Sequence, residues 1–345
     1  MTFRISKGVA AYTREVFVVT LLFTFLGART AFPEGTGENW APISIVNQSP
    51  TQLLFLQPTP DRADILPKGQ GSIKLNTTIT NTLISQKSAH YGATIDMELV
   101  RTSLEMDYGV MSRLELGLSL PVSHYYAGFM DKPIAEVERM AGKIRAIRDD
   151  EEPNRFAYVV KKDDKVFISG SKNSTGIGDL VLKAKIKIRD EGNILPGLST
   201  RLSVKLPTGD NDRAFTSGQV DWGLGLLMQK NMNKINAYLN ANVIFPGDAF
   251  DDVGIVLRKF YTFMLGTGYS FTPRLSAMAQ INWITKPFKD TGLEILDRRI
   301  FDLLIGVTYH TENSIFVQVG GVEDIFDSCE AGADFTFFLN AGLNF

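Results

Sequence analysis

The chain has 345 residues, of which 44% are hydrophobic and 21% charged, which is the range of ordinary globular proteins. Its formal net charge is only -2, so it lacks the basic excess of nucleic-acid-binding proteins, and we predict no nucleic-acid partner. Its single cysteine, Cys329, excludes an internal disulfide and a multi-cysteine metal site.

The N-terminus has the features of an export signal. Three basic side chains, the last of them Arg14, precede VFVVTLLFTFLG, a run of twelve residues without a charge. This run is too short to span a bilayer, which takes roughly 20 apolar residues. Small residues follow, and we predict a signal peptide over residues 1–31, cleaved near Ala28 or Ala31. Retention of the segment as an anchor is the alternative.

From residue 70 onward, apolar and polar side chains alternate over long stretches. In SRLELGLSLP, four leucines at even positions from Leu114 to Leu120 share one face, opposite Arg113, Glu115 and smaller residues. A period of two over ten or so positions predicts a strand with two chemically distinct faces. Such strands, about a dozen residues long, are twice as long as soluble strands and suit a tilted membrane crossing. We predict twelve of them, at 70–84, 95–109, 112–124, 176–189, 196–207, 218–230, 234–246, 258–271, 274–286, 299–310, 314–323 and 333–345.

The connections between these strands alternate between short and long, as in bacterial outer-membrane barrels with short periplasmic turns and long external loops. Residues 86–93 are the first long connection, and the longest follows Pro121. The sequence therefore predicts an all-β protein, a transmembrane antiparallel β-barrel of about twelve strands over residues 69–345, with a long extracellular loop at 125–174. A soluble β-sandwich or secreted β-repeat protein is the alternative, since its strands also alternate.

Aromatic side chains cluster near the predicted strand ends, where barrels place them at the membrane interfaces. The chain then closes on FTFFLNAGLNF, and a last strand that ends in phenylalanine resembles the signal by which the barrel-assembly machinery recognises its substrates. That machinery, outer-membrane lipid and lipopolysaccharide are the predicted partners, in the outer membrane of a Gram-negative bacterium. The predicted interface aromatics are Tyr108, Trp222, Trp283, Tyr309 and Phe345.

Several stretches resemble DUF3187, a family of uncharacterised bacterial proteins. They are PISIVNQSPTQLLFLQPTP at 42–60 and, further on, STGIGDLVLKAKIKI, LSTRLSVKLPTGD and VDWGLGLLMQK. The resemblance extends over nearly all of the mature chain and implies an outer-membrane barrel, but it offers no established activity or catalytic residues to carry over and leaves the function open. A looser similarity to fatty-acid-transporter-like barrels, which move hydrophobic or aromatic compounds, rests on the barrel pattern alone.

In a barrel the apolar face of each strand contacts lipid and the other face lines the lumen. Neighbouring strands then place acidic groups beside basic ones, and ion pairs are expected. Two hypotheses stay open: the pairs brace a closed lumen, or surplus basic charge along strands four and five contacts an anionic solute. The predicted inward charges are Lys183, Lys185, Lys187, Arg189, Arg201, Lys205, Arg113, Glu105, Asp107, Glu115 and Asp221.

Residues 32–68 precede the first strand and are too apolar for a free tail, because they contain QLLFL. They are predicted to form a periplasmic or plug segment, which either folds into the lumen or wraps the periplasmic rim. In the longest loop, residues 134–147 have the pattern of a short amphipathic helix.

The function predicted from these features is a passive channel or transporter for small solutes, anionic or hydrophobic. A structural or adhesion barrel with a closed lumen is the alternative. A hydrolase is less favoured, because Ser123 and His124 are adjacent in a strand and point to opposite faces. We therefore predict no enzyme, no catalytic residue, no cofactor and no metal.

Overall fold

The computed structural model describes residues 41–140, 153–311, 315–324 and 332–345. The predicted signal peptide, Cys329 and part of the predicted loop helix lie outside these ranges. No helix within them is long and apolar enough to cross a membrane. The helical elements are α1 (Asp131–Met140), α2 (Glu294–Asp297) and a 3-10 turn (Asp251–Val253).

The described residues are mostly in long antiparallel strands. The first group is β1 (Gly71–Lys87), β2 (Tyr91–Met111), β3 (Leu114–Tyr126), β4 (Ala157–Lys162), β5 (Lys165–Ser169) and β6 (Ser174–Ile177). The second group is β7 (Leu180–Arg189), β8 (Gly197–Leu206), β9 (Asp221–Met232), β10 (Ile235–Phe245), β11 (Phe260–Ser270), β12 (Leu275–Ile284), β13 (Ile300–His310), β14 (Ile315–Asp324) and β15 (Phe335–Asn344).

Twelve of these strands, β1–β3 and β7–β15, form a closed antiparallel barrel. Each pairs with its neighbours in the chain, and the last strand pairs with the first, in a register that runs from Ser72 opposite Asn344 to Asn81 opposite Phe335. The predicted twelve-stranded barrel is therefore confirmed. Closure satisfies the backbone groups of both terminal strands, which would otherwise form exposed edges.

The short strands β4 and β5 were not predicted, and the strand predicted at 176–189 is divided into β6 and β7. β6 continues the ladder of β7 along β3, and β4 and β5 form a hairpin that pairs with the beginning of β2. The ladder between β1 and β2 itself continues to Lys87 opposite Gly92, so the connection between these strands is only residues 88–90. The prediction of a long connection at 86–93 was wrong because β1 and β2 continue to pair with each other through these residues.

The two faces of the barrel have the opposite polarity to those of a soluble protein. Along β7, Ile186 and Ile188 are exposed on the outer surface, whereas Lys185 and Lys187 are almost fully buried inside. Trp222 is likewise exposed at the start of β9, next to the fully buried Asp221. An apolar exterior around a polar interior is the arrangement of transmembrane barrels. We call the end with the short turns, such as residues 112–113 and 233–234, the turn end, and the opposite end the loop end.

Candidate functional site: the occupied lumen

Residues 41–66, here called the lumen segment, run inside the barrel. The first part ascends towards the loop end along β12 and β13. The backbone N–H of Ile43 donates to Gln280 Oε1 (3.0 Å), and Asn47 Nδ2 donates to Asp302 Oδ2 (2.9 Å). The side-chain amide of Gln280 therefore replaces a strand partner that this irregular backbone lacks, and the Asp302 carboxylate holds the side chain of Asn47.

The lumen segment reverses direction at the loop end and then descends along the opposite wall. A tight turn forms where the N–H groups of Gln52 and Leu53 donate to the carbonyl of Ser49. On the way down, Leu66 N–H donates to Glu115 Oε2 (2.7 Å). The chain leaves past Gly109, where a Cβ would lie 2.2 Å from the carbonyl oxygen of Pro67, so a side chain there would displace the segment.

Aromatic rings pack around the tip of the lumen segment at the loop end. The ring centroid of Phe55 lies 5.7 Å from that of Phe288 and 6.5 Å from that of Phe250, both in loops. Phe260 of β11 packs edge-on against Phe55, and Phe167 of the β4–β5 hairpin packs against Phe250. We call these five rings the aromatic cap; offset and edge-to-face rings of this kind stabilise one another beyond their burial.

The first lysine of the strip on β7 forms ion pairs with β2. Lys183 Nζ lies 2.8 Å from Asp107 Oδ1 and 3.5 Å from Glu105 Oε2, and all three side chains are largely buried. Lys74 of β1 approaches the other oxygen of Asp107 (3.7 Å). The lysine and the two acids thus form one cross-strand cluster.

The next two lysines contact acids of the lumen segment. Lys185 Nζ lies 2.8 Å from Asp61 Oδ2 and 2.9 Å from Glu115 Oε1 of β3. Lys187 pairs with Asp64. The sequence pattern indicated the wall acids as partners, but Asp61 and Asp64 lie on irregular chain, where no periodicity assigns a direction.

The basic residues of β8 also hold the lumen segment. Lys205 Nζ lies 2.9 Å from Asp179 Oδ2 and 3.2 Å from Asp221 Oδ2, and it donates to the carbonyl of Leu54 (2.9 Å). Arg201 differs, because its guanidinium donates to the Thr59 carbonyl (2.7 Å) and to the side-chain oxygen of Asn242 (3.2 Å), both uncharged groups.

Two arginines of the predicted strip lie at the turn end instead of inside the barrel. Arg113 belongs to the turn before β3, where its exposed side chain lies 3.6 Å from Asp190. Arg189 is the last residue of β7 and donates to the carbonyl of Pro196 (3.0 Å). The alternation of apolar and polar residues assigns both arginines to the inner face. Both lie at the end of a strand, however, and so they do not line the lumen.

A cavity of about 60 Å³ remains between the lumen segment and the wall formed by β1, β2, β3, β7 and β8. Arg101 and Arg201 both line it, together with hydroxyl groups of serine residues such as Ser103. Arg101 was absent from the predicted lumen charges, although it has the same parity as Glu105 on β2 and the alternation could have identified it.

The predicted interface aromatics lie near the two ends of the barrel. Trp222 stacks on Phe245 at the loop end, with ring centroids 4.1 Å apart. Trp283 is half-buried near the same end, at the end of β12. Exposed rings at the turn end are those of Tyr108, Tyr309 and Phe345.

The histidines and Ser123 are not brought together. Ser123 lines the lumen cavity, whereas His124 bonds to Thr175 Oγ1 (2.8 Å) and His90 to Asp163 (2.8 Å). His310 ends β13 at the turn end. Within the described ranges, no group of three or more His, Cys, Asp or Glu side chains is placed to hold a metal ion.

The fold and its filled interior define a twelve-stranded barrel of the outer-membrane type with its own N-terminal chain in the lumen. The family "Protein of unknown function (DUF3187)" matches residues 29–345, and the chain belongs to that family. Among proteins with curated descriptions, none matches this sequence.

A solved outer-membrane channel shows the same fold, and two porins are similar at a lower level. The COG4313 outer membrane channel from Pseudomonas putida F1 is similar with a TM-score of 0.56 and 16% identity, over 84% of this chain and 100% of that one. The NanC porin is more remote, with a TM-score of 0.44 and 4% identity over 79% and 98% of the two chains. The KdgM porin has a TM-score of 0.39 and 11% identity over 79% and 99%.

Proposed function

We propose that this protein is an outer-membrane channel for small solutes, in which the lumen segment forms the constriction. The observation that supports this most directly is the character of the descending half of the segment. Residues 57–66 contact the wall through ion pairs and through hydrogen bonds to backbone groups, and a polar cavity remains beside them. An interior of this kind accepts water and ions more readily than an apolar core.

The proposal includes a location and an orientation. The turn end faces the periplasm and the loop end the exterior, as in other outer-membrane barrels. The protein is exported with a cleaved signal peptide, and its last strand, ending at Phe345, is recognised by the barrel-assembly machinery. Outer-membrane lipid and lipopolysaccharide then surround the apolar exterior.

The solutes we propose are anionic. The lysines on β7 and Lys205 are matched by carboxylates, but no carboxylate lies within ion-pair distance of Arg101 or Arg201 in the described part of the chain. These two guanidinium groups are therefore the cations of this wall that have no carboxylate at ion-pair distance, and they are the groups to which we expect an anionic solute to bind. A hydrophobic solute would find serine and charged side chains along this wall.

One observation favours a second function, a structural or adhesion barrel with a closed lumen. The aromatic cap joins the tip of the lumen segment to the loops and buries Phe55 almost completely. In a channel, this cap has to open or leave a route beside it. In a structural barrel, it is a permanent seal and the exposed loops contact other partners.

Conductance in a planar lipid bilayer separates the two functions. We expect the full chain to show discrete conductance steps with an anion preference, which Arg101→Glu lowers by about twofold because it reverses a charge on the path. The matched control is Arg113→Glu, which changes the same residue type at the exposed turn end and is expected to keep the preference. Absence of conductance at all voltages, in the full chain and in a variant without residues 41–66, would favour the structural barrel.

A further inference from the structure

We infer that the lumen cavity is a binding site for one small oxyanion of the phosphate type, held by Arg101 of β2 and Arg201 of β8. The inference deepens the proposed function, because it names a ligand class and a site on the proposed path. The site itself, however, needs only the folded barrel and its lumen segment.

The size of the cavity limits the ligand. It has about 60 Å³ of space between residues 44–59 of the lumen segment and the wall. A water-sized group needs about 10–15 Å³ by the same measure, so roughly four to six such groups fit. Inorganic phosphate and acetate have this size, whereas a sugar or a nucleotide does not.

Several donors of the residues that line this space lack acceptors. The guanidinium of Arg101 has no carboxylate at ion-pair distance within the described part of the chain, although Glu105 of the same strand attracts it from further away. The Nε of Arg201 and the hydroxyl of Ser103 are buried, and neither has a partner there. Buried donors are nearly always satisfied in folded proteins, and guanidinium groups bind oxyanions through strong, charge-assisted hydrogen bonds.

The nearest carboxylate on this wall already has its own donors. Glu105 Oε1 accepts hydrogen bonds from Thr59 Oγ1 (3.0 Å) and Asn76 Nδ2 (3.1 Å), and its Oε2 faces Lys183. It is therefore not available to neutralise Arg101 fully. A bound anion would give the Arg101 guanidinium the acceptor that Glu105 does not.

One acceptor in the cavity narrows the ligand further. The side-chain oxygen of Asn76 is buried and has no donor among the described residues. A phosphate that keeps one proton can donate to this oxygen while its other oxygens accept from the arginines. Acetate, which is ionised and has no hydroxyl, leaves the oxygen of Asn76 unsatisfied.

Titration calorimetry on the full-length protein in detergent micelles tests the site, with inorganic phosphate as the probe at constant ionic strength. We expect saturable binding of one phosphate per barrel, weaker binding of acetate, and a dissociation constant raised about tenfold or more by Arg101→Gln. The matched control Arg113→Gln, at the turn end, is expected to bind as the wild type does. Equal affinities in Arg101→Gln and Arg113→Gln, or no saturable binding in the wild type, would overturn the inference.

A second variant protects the test against loss of folding. Ser103→Ala removes one hydroxyl from the cavity without changing the charge, and we expect it to weaken phosphate binding several-fold; unchanged affinity would count against the site. Phosphate binding that depends on Arg101 in a barrel without conductance would refute the channel and support the site. Conductance without phosphate binding would support the channel and refute the site.

Discussion

Replacing Lys185 by methionine is expected to lower the free energy of unfolding by about 3–5 kcal/mol, the cost of removing one partner from a buried ion pair. Lys185 is only 2% exposed, and its ammonium lies between Asp61 and Glu115 at 2.8 and 2.9 Å. Without the lysine, two buried carboxylates face each other with no cation between them. The lumen segment, which contains Asp61, is then repelled from β3.

Unfolding by urea in lipid vesicles, followed by tryptophan fluorescence, measures this change. The matched control is Lys165→Met in the β4–β5 hairpin, since Lys165 forms an ion pair of the same length with Asp252 (2.9 Å) on the exposed surface. An exposed pair contributes little, and the control is expected to unfold nearly as the wild type does. If the two variants have the same stability, the ion pairs in the lumen do not brace the barrel.

A rescue variant identifies the cause of the loss. Combining Lys185→Met with Asp61→Asn and Glu115→Gln removes both uncompensated charges along with the lysine. Replacing an entire buried ion cluster by neutral groups is often close to neutral in stability. We therefore expect the triple variant to recover most of the stability that Lys185→Met loses, whereas a loss of packing around Lys185 would leave it unrecovered.

The barrel follows from the sequence because its physical cause is periodic. Each strand alternates between a lipid-facing and a lumen-facing residue, so the sequence alone indicates that Ile186 faces the lipid and Lys187 the lumen. The β4–β5 hairpin was missed because it is short and extends β2 beyond the barrel. The position of Arg113 was mispredicted for a related reason. The alternation predicts which face a side chain belongs to, but it does not predict the residue at which the strand ends.

The contents of the lumen are much harder to predict. The segment that fills it has irregular backbone, and its contacts depend on which wall residue lies at the same height, as for Asp61 beside Lys185 and Asn47 beside Asp302. These pairs join residues more than a hundred positions apart. Sequence periodicity contains no information about such heights, so the partner of each lysine becomes known only from the structure.

Removing the lumen segment, residues 41–66, is expected to raise the conductance several-fold and to strengthen the anion preference. The barrel ladder pairs strands with one another, and closure between β1 and β15 uses none of these residues, so the deletion variant is expected to remain a closed barrel. Electrophoretic mobility with and without heating checks that it has folded.

The stronger anion preference follows from the charges that leave with the segment. Asp61 and Asp64 are removed, so Lys185 keeps only Glu115 and Lys187 loses its carboxylate partner. Arg62 leaves as well, so the net change is one positive charge, and Lys187 is the lysine left without a carboxylate. Basic side chains lining a pore favour anions. In the deletion background, Lys187→Glu is expected to lower the ratio of anion to cation permeability by about twofold.

A peptide of residues 41–66 supplied from the periplasmic side provides the matched control for this experiment. If the segment binds through its acids, this peptide is expected to close the enlarged pore. A peptide with Asp61→Lys and Asp64→Lys places like charges against Lys185 and Lys187, so it is expected to leave the pore open. Equal block by both peptides would mean that shape alone holds the segment, and an unchanged conductance after deletion would mean that the loops and the aromatic cap close the barrel without it.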